Sequence, residues 1–131
     1  MHHTIFLFGE AEKGAFCTPI PCRSLAELTD TLGNPPEESL GIPYAVQALM
    51  YKRGLIFFRV KEEGFSVEDY MKGIHFLQKN ELPTPPTAIC LPGVGDTTII
   101  DGIESFCKLH SSLLIINDKD LYDYLTIRPL M

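Results

Sequence analysis

The residues best suited to chemistry fall in three short loops. The run Pro92-Gly-Val-Gly-Asp-Thr-Thr98 follows an apolar strand pattern and precedes a helical one. Gly93 and Gly95 let a ligand approach the backbone closely, and a helix N-terminus attracts anions. The loop has neither a Walker lysine nor a G-x-G-x-x-G run, and Asp96 would repel phosphate. Asp96 as the N-cap of the next helix is the simpler reading. The run Phe8-Gly-Glu-Ala-Glu-Lys-Gly14 carries Glu10 and Glu12, two carboxylates of the kind that share acid and base work. No nucleophile is spaced to use them. Asn117 and Asp118 end the last strand pattern. If the strands are parallel, loops 9–14, 92–97 and 117–118 meet at the carboxyl edge of the sheet, where α/β proteins bind ligands.

Other reactive types are scattered. His75 and His110 lie on helical patterns without ligand partners at suitable spacing. The charge of His110 suits a helix C-terminus. Of the four cysteines, Cys90 lies in an apolar strand and Cys107 on an apolar helix face. Cys17 and Cys22 lack C-x-x-C spacing, so neither a disulfide framework nor a zinc site is expected. A Cys–His dyad would require Cys90 and His110 to meet in space. No G-x-S-x-G or H-E-x-x-H run occurs. Catalytic, cofactor and metal residues are therefore expected to be absent, and Gly93, Gly95, Asp96, Asn117 and Asp118 remain as the candidate ligand loop.

The elements that position these loops follow a rhythm. Apolar β-type runs at 4–8, 55–60, 87–91 and 112–116 are each followed by a helical pattern. Ser24 and Glu27 form a capping box for a helix bearing Leu25, Leu28 and Leu32 and ending at Gly33. A second helix restarts at Gly41 with Pro43 in its first turn. Its apolar face reads Ile42, Ala45, Val46, Leu49 and Met50, up to Gly54. Ser66 caps a third, with Val67, Tyr70, Met71, Ile74 and Leu77 as its stripe. Ile99, Ile100, Ile103, Phe106 and Cys107 mark a fourth, and Leu121, Tyr122 and Leu125 a short fifth. Residues 15–20 read as a short extended piece stopped by Pro19 and Pro21. Residues 81–86, with three prolines, read as a rigid connector.

Strand–helix–strand connections are right-handed. The chain is therefore expected to be one domain, residues 1–131, of α/β class. It should form a three-layer αβα sandwich around a mostly parallel sheet of about four or five strands. Leu114 is expected in the middle of that sheet, where a charge would prevent folding. Glu12→Ala is expected to be almost neutral.

Composition narrows the partners. The apolar fraction is 45% and the net charge is −6. No Lys/Arg cluster exists beyond the adjacent pair Lys52 and Arg53, which suits the end of a helix. Nucleic acid and anionic membranes are not expected as partners. No apolar run approaches the roughly 18 residues of a membrane span, and no secretion signal is visible. A reducing cytoplasm suits the cysteines.

Read in order, four stretches resemble the central domain of contractile phage tail sheath proteins. They are Phe8-Gly-Glu-Ala-Glu-Lys-Gly-Ala-Phe-Cys-Thr-Pro19 and Ser24-Leu-Ala-Glu-Leu-Thr-Asp-Thr-Leu-Gly33, then Tyr44-Ala-Val-Gln-Ala-Leu49 running on to Phe57-Phe-Arg-Val60, and finally Leu91-Pro-Gly-Val-Gly-Asp96 followed by Asn117-Asp118. The resemblance implies structural work: an αβα core acting through protein–protein contacts or self-assembly. The sequence starts close to its first strand and ends shortly after its last helix, so the family's terminal arms and outer insertions are not expected. The rival expectation is a small ligand-binding protein or enzyme working at the carboxyl edge.

Overall fold

The structure, a computed structural model, describes residues 3–79, 81–82 and 85–126. His2 and part of the proline connector, Pro83 and Thr84, lie outside the described residues. The elements run β1 (Thr4–Gly9), β2 (Pro19–Cys22), α1 (Leu25–Leu32), α2 (Gly41–Met50), β3 (Gly54–Arg59), α3 (Val67–Gln78), β4 (Ala88–Cys90), α4 (Thr97–His110), β5 (Leu113–Ile115) and α5 (Asp118–Thr126). The five strands order as β2-β3-β1-β4-β5. The contacts β1–β3, β1–β4 and β4–β5 are parallel and β2–β3 is antiparallel. The expected αβα sandwich is thus present, with a mostly parallel five-stranded sheet.

Alternation along the strands divides the core in two. Ile5, Leu7, Leu55, Phe57, Ala88 and Cys90 face α1, α2 and α5. Phe6, Phe8, Phe58, Ile89 and Leu91 face α3 and α4. Strand β1 is buried on both sides, as a near-continuous apolar run in a parallel sheet should be. The chain leaves β1 toward one face and β4 toward the other. The two are neighbours, so their carboxyl ends form the topological switch point of the sheet.

The helix stripes of α3 and α4 lie as the spacing predicts, with Tyr70, Ile74, Ile99 and Ile103 fully buried. Three readings are corrected. First, Pro19 and Pro21 do not stop the second strand; they lie in it. Antiparallel pairing takes an N–H from every second residue, so Ile20 and Cys22 donate to β3 and the prolines face the outer edge. Second, α2 buries Tyr44 and Ala48, while Met50 is exposed; α5 likewise buries Tyr124 and exposes Tyr122. Third, β5 is an edge strand, and Leu114 is only partly buried.

Candidate functional site

The carboxyl edge gathers the loops after β1, β3, β4 and β5, together with the start of α2. The start of α2 lacks the usual cap: Leu40 occupies the N-cap position and supplies no side-chain acceptor. The first N–H groups of a helix need acceptors, and here Glu63, from the loop after β3, provides them. Its Oε2 accepts the N–H of Leu40 at 2.6 Å and its Oε1 that of Gly41 at 3.0 Å. The same Oε1 accepts the N–H of Glu10 at 2.9 Å, and the carboxylate of Glu10 accepts the N–H of Glu63 at 2.7 Å. Burial outweighs these bonds and holds the Glu63 carboxyl above the ordinary glutamate value, with the neighbouring Glu10 charge pushing the same way.

This arrangement depends on small residues. A Cβ on Gly9 would stand 2.8 Å from the Cα of Gly41 and 3.0 Å from Oε1 of Glu63. The end of β1 and the start of α2 can therefore touch, with the Glu63 carboxylate wedged beside them. In an α/β fold that position, at a helix N-terminus beside the switch point, is where a ligand's anionic group sits. In this chain a side chain of its own fills it.

The sequence-predicted residues are placed as follows. Asp96 is the N-cap of α4, its Oδ1 accepting from Thr98 at 2.8 Å and Ile99 at 3.2 Å. Asn117 accepts the N–H of Asp120 at 2.9 Å, and Asp120 accepts that of Ile116 at 3.1 Å, so the pair caps α5. Gly93 has φ 78°, and its carbonyl oxygen lies close against Gly64 in the β3 loop. Gly95 borders open space. Asp118 faces the buried Tyr44, whose hydroxyl is pushed well above its usual value, first by burial and then by that carboxylate. Gly93 and Asp96 thus serve the α3–α4 face and Asp118 the opposite one.

Glu10 and Glu12 do not pair as acid and base. Glu10 is bonded to Glu63, whereas Glu12 closes the end of α1, its carboxylate accepting the N–H of Asn34 at 2.9 Å. The Cys90–His110 dyad is excluded by geometry. Cys90 is fully buried near the carboxyl end of β4 on the α2 side, and its thiol is raised by burial. His110 stands at the far end of α4, with its ring 4.4 Å from that of Phe106.

Glu63, Tyr44 and Asp69 are the residues that sequence reasoning missed. Buried Asp69 accepts the N–H of Lys61 at 2.8 Å. Burial works to raise its carboxyl, but that bond and the neighbouring Cys17 thiol and Lys61 charge carry it below the ordinary aspartate value. The available signal for Glu63 was negative: a helix starting at Gly41 with no Ser, Thr, Asp or Asn at its N-cap has to find its acceptors elsewhere.

Among the described residues no cluster of His, Cys, Asp and Glu could hold a metal ion, and no helix is long and apolar enough to cross a membrane. No family model, curated protein or solved structure matches the chain.

Proposed function

We propose that this chain is a non-enzymatic interaction domain of the sheath-like αβα kind, working through a protein partner or further copies of itself. The observation that carries this reading is the Glu63 carboxylate seated on the N–H groups of Glu10, Leu40 and Gly41. A ligand anion at the switch point would have to expel it. The polar groups of Asp96 and Asn117 are likewise spent on helix caps. Large apolar side chains also stand at the surface, among them Phe65, 75% exposed at the carboxyl edge, and Leu109, 78% exposed near the end of α4. Aromatic side chains such as that of Phe65 are enriched in interface cores.

A protein partner rather than nucleic acid suits the net charge of −6, and a reducing cytoplasm suits four free cysteines. The test is the mass in solution by light scattering over a concentration series, with electron microscopy of the same sample. Rings, tubes or growth with concentration are expected, and Phe65→Ser or Leu109→Ser should weaken them. A strict monomer, stabilised thermally by a metabolite whose effect is lost in a Gly95 or Asp118 variant, would overturn the proposal in favour of the carboxyl-edge ligand site.

A further inference from the structure

The opposite end of the sheet carries a second feature, independent of the interaction reading. A groove of about 430 Å³ opens between β2, the start of β3 and the end of α2. We propose that it binds a small organic anion, its phosphate or carboxylate held by Lys52 and Arg23 and its apolar body resting on Leu49.

Size and lining agree with this. Ligand clefts run from about 300 to 1,000 Å³ and combine apolar walls with a few polar anchors. Arg23, Lys52 and Arg53 line the groove and no carboxylate does, in a chain with 17 acidic and 11 basic residues. Glu27 lies nearby, but its carboxylate accepts the backbone N–H of Arg23 at 2.6 Å and does not line the groove. Arg53 is held by structural contacts, although among the described residues its Nε is buried without a partner. It donates to the carbonyls of Tyr51 and Leu125, both at 3.3 Å, and lies over the Tyr124 ring. Among the described residues, the side chains of Lys52 and Arg23 enter no hydrogen bond or salt bridge. Among the described residues nothing else claims their charges.

The backbone supplies an independent argument. At the end of α2 the N–H of Lys52 bonds the carbonyl of Leu49, and that of Arg53 the carbonyl of Ala48. This is a Schellman closure, whose left-handed residue is ordinarily glycine. Here it is Lys52, at φ 61°. A lysine in that conformation is strained relative to glycine. Among the described residues Cys17, Glu38 and Ser111 also take positive φ without being glycine, and Lys52 is the one of the four that lines this groove. The groove binds and does not react: Cys22, at its floor, is buried, and burial with the nearby Glu27 charge pushes its thiol up to about 11.

The test is amide chemical-shift titration of the full chain with phenyl phosphate, phenylacetate and inorganic phosphate. Saturable shifts at Arg23, Lys52, Arg53 and Leu55 are expected with phenyl phosphate or phenylacetate, and inorganic phosphate, lacking an apolar body, should bind more weakly. Tighter binding of phenyl phosphate identifies a phosphate ligand, and tighter binding of phenylacetate a carboxylate one. Lys52→Gly should raise the melting temperature while weakening binding about tenfold, as loss of one charged hydrogen bond implies. That pairing of opposite effects separates lost charge from lost fold. The proposal is overturned by no saturable shift with any probe, by shifts confined to the region of Gly41 and Glu63, or by Lys52→Gly binding as tightly as the parent.

Discussion

Glu63 concentrates the chemistry of the carboxyl edge in one side chain. Glu63→Gln keeps a single carbonyl oxygen where three N–H groups now find two carboxylate oxygens. Losing the bond to the exposed N–H of Leu40 costs about 0.5–1.5 kcal/mol, which urea unfolding would read directly. Its pH dependence has a definite sign. The native carboxyl lies above the ordinary value of 4.5, so folding favours the protonated form. That contribution is complete below 4.5 and is lost as pH rises through the native value. The stability of the parent relative to Glu63→Gln should therefore fall as pH climbs from about 4 toward neutrality. Asp69 should behave oppositely. Its native carboxyl lies below 3.8, so its stabilisation relative to Asp69→Asn is present above 3.8 and lost as pH falls through the native value. The difference in legibility between these residues and the caps is one of range. Ser24 and Asp96 were readable because their partners lie two or three positions away. Glu63 bonds across 22, 23 and 53 positions, and no local pattern reports that.

The elements were legible where one periodicity ruled. In α4, Ile99, Ile103, Phe106 and Cys107 keep helical spacing and all face the core. In α2 the stripe holds at Ile42 and Ala45, with Val46 and Leu49 packed against the same core, but Met50 falls outside it, because apolar residues surround the helix and hydrophobicity alone cannot say which side the sheet takes. Buried Tyr44 and Ala48 define that side. Strand β2 was legible only as a short extended piece: its prolines read as a stop, without the parity that lets them lie in the strand. Parity makes a sharp prediction. Ile20→Pro removes an N–H that donates to β3 and should unfasten β2. Pro21→Val, on the outer edge, should leave stability nearly unchanged while restoring an outward donor, so that edge-to-edge association rises in light scattering. Helix α3 offers a second test. A Cβ on Gly73 would run into the ring of Phe8, with Phe58 also within reach. Gly73→Ala should cost about 1–3 kcal/mol through overpacking, despite alanine's better helix propensity.

At the scale of the whole molecule, strand order decides what a substitution does, and strand order is the part least readable from the chain. Apolar runs at 4–8 and 112–116 look alike as text, yet β1 pairs on both sides and β5 closes an edge. The expectation that Leu114 sits mid-sheet failed for that reason. Adjacency depends on which crossover follows which face, and the long first connection with its two helices sends β3 to one side of β1 and β4 to the other. Leu7 shows the contrast. It is fully buried in β1, between Phe57 and Cys90 of the flanking strands. Leu7→Asp would strand a carboxylate there without a partner, at a cost of about 3–5 kcal/mol out of a total stability of order 5–15. Loss of the cooperative transition, or a large fall in its midpoint, is expected by circular dichroism. Leu114→Asp, on a partly open edge strand, can keep its charge in water and should fold cooperatively with a modest loss. If both variants unfolded alike, the sheet order β2-β3-β1-β4-β5 would be wrong. The switch point between β1 and β4, on which the reading of Glu63 depends, would fall with it.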